Sequence, residues 1–283
     1  MSKGTIRAPS SRSPTPTSTA SRSAIISSDR AVTRAFASAR AAGRAALIPY
    51  VTAGFPTPAQ TGELLTRLPA AGADVIEVGI PFSDPIADGP TIQRSTQRAL
   101  EQGMTVRGAL ELIRAAAPPA PVVIMTYVNP ILAYGLDRFL EDAARVGVAG
   151  LLCTDLPAGS APEIERAIAA SALDQIRLVA PTTPDDRLRA TLEAATGFIY
   201  CISRLGVTGV RAEIPADLER HVRRIRDVTP LPVAVGFGIS TPAQVAAASR
   251  WADGVVVGSA VVEALASGGV AGAVQLVREL AAA

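Results

Sequence analysis

Residues 71–91, Ala71-Gly-Ala-Asp-Val-Ile-Glu-Val-Gly-Ile-Pro-Phe-Ser-Asp-Pro-Ile-Ala-Asp-Gly-Pro-Thr91, read as a short helix-to-strand joint, an apolar strand, a loop of turn formers and the first turn of a helix. Alternate residues of a strand share a face, so along Asp74–Val78 the side chains of Ile76 and Val78 point outward toward helices. Glu77 then points into the interior near the strand's carboxyl end. Burial makes such a carboxyl reluctant to ionise and useful as a proton donor or acceptor. The competing explanation is a structural glutamate held by backbone donors or an arginine. Asp88 follows in the loop, two residues before a proline suited to the first turn of a helix, and there a turn or capping role competes. Because one loop joins them, both carboxylates face the same pocket in this reading.

The same alternation extends along the chain. Apolar runs at Ala45–Val51, Asp74–Val78, Val122–Met125, Gly150–Cys153, Ile176–Val179, Phe198–Cys201, Val233–Val235 and Gly254–Val257 make eight candidate strands. Between them lie stretches of helical periodicity such as Thr61–Ala71, Thr91–Gln102, Leu136–Val146 and Pro242–Arg250. A further helix over Ala31–Ala42, with Asp29 as N-cap, precedes the first strand. The count and length match a (β/α)8 TIM barrel with an extra N-terminal helix, although a doubly wound sheet uses the same alternation. Gly-, Pro- and Ser-rich segments mostly follow strands, which is where barrel enzymes carry function.

Composition narrows the chemistry. The chain has 283 residues, 48% of them hydrophobic, and a formal net charge of +2, so it can build a sizeable core and presents no field for a polyanion. No run approaches the roughly 20 uninterrupted apolar residues of a membrane helix. Lys3 is its only lysine and His221 its only histidine, so Schiff-base and histidine-metal chemistry have almost no candidates and no metal site is expected. Proton transfer falls to carboxylates and hydroxyls. His221 reads as a surface residue, Trp251 as packing, and Cys153 and Cys201 as reduced core thiols suited to a cytosol-like compartment. Residues 1–28 hold nine serines, four threonines, three prolines, four basic residues and no acid. They read as a disordered tail before a barrel domain over 29–283, with a plastid transit peptide as the alternative.

Glycines cluster after the last three strands, at Gly206–Gly209, at Gly236 and Gly238, and at Gly258 with Ser259. Glycine lets backbone N–H groups approach an anion, and helix starts after the last two loops add positive dipole ends, which suggests a phosphate site. Tight turns need glycine too, so no one loop decides it. Phe55, Tyr127, Tyr200 and Phe237 lie at strand ends or in adjoining loops and could line a flat apolar pocket or pack in the core.

Taken together, Pro49-Tyr-Val-Thr-Ala-Gly54, Ala71–Asp74, Glu77–Pro90, Met125-Thr-Tyr-Val-Asn-Pro130, Ser203–Gly209, Gly236–Ser240 and Gly258-Ser259 resemble the tryptophan synthase alpha subunit family from about Asp29 to Ala283. The resemblance implies a (β/α)8 barrel that cleaves indole-3-glycerol phosphate to indole and glyceraldehyde 3-phosphate by a retro-aldol step. It implies Glu77 as the catalytic acid/base and Asp88 as the residue that binds the indole N–H. Gly209, Gly238, Gly258 and Ser259 would contact phosphate, with Gly236 and Phe237 shaping that loop, Tyr127 and Tyr200 beside the substrate, and Thr208 in a loop that closes over the site, while Phe55 is a substrate-binding candidate from its position after the first strand alone. It also implies no cofactor in this chain and a beta subunit that carries pyridoxal phosphate in an αββα complex, reached through Ser83-Asp84-Pro85. A stand-alone indole-3-glycerol phosphate lyase, a phosphosugar isomerase and a non-catalytic binder of the beta subunit are the alternatives. The first of these shares every motif.

Overall fold

The computed structural model describes residue 1 and residues 30–202, 217–236 and 238–283. The apolar runs form β1 (Ala46–Thr52), β2 (Ile76–Gly79), β3 (Val122–Thr126), β4 (Val148–Cys153), β5 (Asp174–Gln175), β6 (Arg177–Val179), β7 (Ile199–Ile202), β8 (Val233–Gly236) and β9 (Gly254–Val257). All pair in parallel, in the order β5-β4-β3-β2-β1-β9-β8-β7-β6. The two ends of that order, β5 and β6, are separated along the chain by Ile176 alone, so the sheet returns on itself as a nearly closed barrel. The ninth strand is the fifth barrel strand split in two. A doubly wound sheet, whose strand order reverses at its centre, is excluded.

Helices alternate with the strands: α1 (Ala31–Ala41), α2 (Pro58–Arg67), α3 (Pro90–Glu101), α4 (Val106–Ala116), α5 (Val128–Tyr134), α6 (Leu136–Arg145), α7 (Pro162–Ala170), α8 (Asp185–Glu193), α9 (Leu218–Arg226), α10 (Pro242–Ser249) and α11 (Ser259–Ala281). The cap of α1 is Arg30, without a side-chain bond; Asp29 lies outside the described residues, as does the rest of the tail up to residue 2. Val32, Phe36 and Ala39 of α1 are buried among the inward residues Ala46, Ile48, Val75, Val123, Ile176 and Phe198, and the Phe36 and Phe198 rings lie 5.3 Å apart. This helix therefore plugs the barrel's amino end, and burying Phe36 alone contributes on the order of 1.5–3 kcal/mol.

Ile76 and Val78 belong instead to the outer layer, packed with Leu64, Leu65 and Ile113 of the surrounding helices, as the alternation requires. β2 begins two residues later than the apolar pattern indicates. Asp74 stands outside it because its carboxylate accepts Leu47 N–H at 2.8 Å and pairs with Arg44 at 2.6 Å. Although no uninterrupted apolar run exists, α11 is 23 residues long and apolar enough to cross a membrane by length and composition. It breaks at Gly269 (φ 62°, ψ −163°) and buries Val261, Leu265, Val270, Val274 and Val277, so it packs as an outer barrel helix. His221 also departs from expectation: its side chain is mostly buried on α9, with Nε2 3.0 Å from Asp217. Trp251 lies beside Arg223, whose guanidinium carbon is 5.7 Å from the ring centroid, consistent with packing.

Candidate active site

β1 and β2 pair with Tyr50 opposite Glu77, and both side chains enter the barrel near its carboxyl end. Glu77 is 1% exposed, and its Oε1 has no hydrogen-bond partner among the described residues. A structural glutamate would be satisfied there, because an unpaired buried oxygen costs about 1–3 kcal/mol. Burial, reinforced by the charge of Asp88, raises the Glu77 carboxyl to about 8.

Asp88 is brought to the same cavity by the loop after β2. The N-cap of α3 is Gly89 and carries no side-chain bond, so helix capping does not explain Asp88. Burial raises its carboxyl to about 6, and a hydrogen bond with Tyr127 opposes that rise. The Tyr127 hydroxyl also accepts Ala87 N–H at 3.0 Å, which pins the loop immediately before Asp88. Two neighbouring carboxyls thus have separated titrations, the arrangement that lets one hold a proton while the other stays ionised at neutral pH.

Two tyrosine hydroxyls crowd the floor. A Cβ at Gly79 would lie 2.0 Å from the Tyr50 hydroxyl, and one at Gly236 would lie 2.3 Å from that of Tyr200. Glycine is required at both strand positions for the rings to lie across the neighbouring strands. Burial and the carboxylate charges hold both phenols protonated.

The far end of the cavity is built from Gly238, Ile239, Ser240, Gly258, Ser259 and Ala260. Its two helix starts differ. α10 is closed by its own residues: Thr241 accepts Gln244 N–H, and Gln244 Oε1 accepts Ser240 N–H at 2.8 Å and Thr241 N–H at 3.1 Å. The N-cap of α11 is Gly258, with no side-chain bond, which leaves that first turn as the dipole end open to an anion.

Glu77, Asp88, Tyr200, Gly238, Gly258 and Ser259 therefore line one cavity. Tyr127 reaches it through Asp88, Gly236 lies under Tyr200, and Phe55 packs beside Tyr50 and Ile92 without facing the opening. Thr208, Gly209 and Phe237 lie outside the described residues. Tyr50, Ile92, Met125 and Ile239 also line the cavity and were not singled out from sequence. Tyr50 was within reach of that reading, since residues 48, 50 and 52 share the inward face of β1.

A cavity of about 440 Å³ at the opposite end of the barrel, lined by Arg40, Arg44, Arg226 and Arg250, is larger than the ≈ 50 Å³ at the carboxyl end. Chemistry favours the smaller one. Arg40, Arg226 and Arg250 sit at the C-terminal ends of α1, α9 and α10, where cations offset the helix dipole, and Arg40 and Arg226 pair with Asp253.

The family model described as tryptophan synthase alpha chain matches residues 36–282. The tryptophan synthase alpha chain of Acidiphilium cryptum is 47% identical over 236 residues, covering 82% of this chain and 86% of that protein. That of Chloroflexus aggregans is 46% identical over 259 residues, covering 89% and 97%. Among solved structures, tryptophan synthase of Mycobacterium tuberculosis superposes with a TM-score of 0.83 at 43% identity, over 89% of this chain and 96% of that one. The alpha subunit from Legionella pneumophila gives 0.80 at 33% identity, over 89% and 97%.

Proposed function

The chain belongs to the tryptophan synthase alpha chain family and is a lyase that cleaves indole-3-glycerol phosphate, and from that premise we propose roles for the residues around its cavity. The observation that carries the assignment is the pairing of a buried Glu77, whose Oε1 has no hydrogen-bond partner among the described residues, with an Asp88 of lower pKa facing the same cavity. Near neutral pH, Glu77 is mostly protonated and Asp88 mostly ionised.

Glu77 donates its proton to the indole ring carbon that bears the glycerol chain. The ring nitrogen then carries the positive charge, which the Asp88 carboxylate stabilises while accepting the N–H. Glu77, now a carboxylate, takes the proton of the adjacent glycerol hydroxyl. As that O–H breaks, the aldehyde forms, and the electrons of the cleaved carbon–carbon bond return to the ring. The proton account closes on Glu77, and the indole itself is the electron sink. Tyr50, Tyr200, Ile92 and Met125 offer the flat apolar wall that an indole ring requires. Gly258, Ser259 and the open first turn of α11 would receive the phosphate, with Gly238 facing them, and the resemblance assigns Gly209 to the same end and Thr208 to a loop that closes over the site.

The family implies a beta-subunit partner and is consistent with no cofactor in this chain. We place pyridoxal phosphate in that partner and an αββα assembly around it. The catalytic domain is 29–283, with residues 1–28 an appendage. The free thiols Cys153 and Cys201 suit a reducing cytosol, the compartment we assign.

Indole formation from indole-3-glycerol phosphate by the purified chain, with and without a beta subunit, tests the reading. Slow turnover that rises with the partner and disappears in Glu77→Gln supports it. Fast turnover indifferent to the partner would instead mark a stand-alone lyase.

A further inference from the structure

Tyr127 is the residue on which Asp88 leans, so what holds Tyr127 bears on the reaction. Its backbone is extended (φ −107°, ψ 161°), it is the N-cap of α5, and its own side chain makes no capping bond because it points to the Asp88 loop. The orphan donor of that first turn, Val128 N–H, is met from another element: Asp155 Oδ1, two residues past β4, accepts it at 2.8 Å. Thr154 N–H donates to Thr126 O at 3.0 Å, joining the ends of β3 and β4. The segment after Asp155 is itself anchored. Arg177 donates to Leu156 O at 2.7 Å and to Glu165 at 2.6 Å, and Glu165 accepts Gly159 N–H at 2.9 Å.

We infer that Asp155 is a positioning residue for the lyase reaction: by capping α5 from the end of β4, it fixes Tyr127 against the loop and side chain of Asp88. The inference rests on the role given to Asp88 above. It requires an acceptor at Asp155 rather than a charge, because the bond is to a single backbone N–H. An asparagine presents the same Oδ1, and an alanine presents nothing.

The experiment compares Asp155→Ala, Asp155→Asn, Tyr127→Phe and Asp88→Asn in kcat, KM and the pH dependence of kcat/KM with indole-3-glycerol phosphate, using the full chain with its beta subunit. Among the described residues, the groups facing Asp88 are Glu77 from β2, Tyr127 at the start of α5, Tyr50 from β1 and Tyr200 from β7. Of these, only Tyr127 lowers the Asp88 titration, so its displacement should move the acid limb to higher pH. Asp155→Ala is expected to lose about five- to tenfold in kcat, the rate equivalent of one helix cap, with that upward shift. Asp155→Asn should recover to within about twofold. Asp155→Ala in a Tyr127→Phe background should cost little more, since the tyrosine hydroxyl is the route of its effect.

Loss of melting temperature in Asp155→Ala with an unmoved acid limb and normal kcat would overturn the inference, as would Asp155→Asn behaving like the alanine variant. If Asp88→Asn itself kept full turnover, the failure would lie in the site assignment, not in Asp155.

Discussion

Replacing Glu77 by glutamine should make the protein more stable at alkaline pH while abolishing its chemistry. Burial and the Asp88 charge move the Glu77 carboxyl from its ordinary 4.5 to about 8. At 1.36 kcal/mol per pH unit, ionised Glu77 weakens the folded state by about 5 kcal/mol relative to the unfolded chain. The sign follows from proton linkage. A raised folded-state pKa means that the native chain holds the proton more tightly, so stability is full below about 4.5, falls as pH rises, and reaches its floor above about 8. At pH 5 the wild type has lost about 1 kcal/mol, and at pH 9 nearly the whole amount.

Glutamine does not titrate and has nearly the same volume, so any fixed cost of its amide cancels between the two pH values. The difference in unfolding free energy between Glu77→Gln and wild type should therefore widen by about 4 kcal/mol from pH 5 to pH 9, in favour of the variant. Urea unfolding followed by circular dichroism at both pH values measures it. Asp88→Asn provides an internal control, because it removes the second cause of the shift and should narrow the widening. A gap that changes by less than about 1 kcal/mol would refute the claim that Glu77 is buried as an uncompensated acid.

The kcat/KM profile should be bell-shaped, rising through about pH 6 as Asp88 ionises and falling through about pH 8 as Glu77 loses its proton. These belong to the coupled pair, and a profile flat from pH 5 to 9 would exclude the assignment. Asp88→Asn should lower turnover about 10²- to 10³-fold, as loss of a preorganised charge does, without the stability loss of about 1 kcal/mol that a helix cap would show in thermal melts. Gly79→Ala drives a methyl into the Tyr50 hydroxyl and should destabilise by about 1–3 kcal/mol in denaturant titration; an unchanged midpoint would mean that the ring has another place to go.

How much of this was legible in the sequence depends on whether a feature is local. Strand alternation alone sent Glu77 inward and Ile76 and Val78 outward, because side-chain direction in a strand follows from the backbone. The same rule turns Tyr50 inward, but that it stands opposite Glu77 is a matter of register, and register is a property of the closed sheet. Asp88 shows the limit differently. Beside Gly89-Pro90 it has the spelling of a helix start, and only the three-dimensional position of Tyr127, 39 residues farther along the chain, explains its orientation. The phosphate end shows a third kind of limit. Both glycine loops precede a helix, yet the sequence does not reveal that Gln244 folds back to occupy one helix start while Gly258 leaves the other open.

These long-range placements explain why the barrel tolerates such an unfavourable floor. Glu77 is inserted into an environment that opposes its charge, with its Oε1 unpaired among the described residues, a cost met by the layers beneath it, where α1 closes the amino end and Val75, Val123, Ile176 and Phe198 fill the interior. Supplying that acid with an arginine would favour the fold at high pH. It would also restore an ordinary carboxylate range and leave no proton to give to the indole ring. The burial of Glu77 beside Asp88 rather than beside a cation is therefore a condition of the reaction, and the stability gained by Glu77→Gln at pH 9 measures what the fold gives up to maintain it.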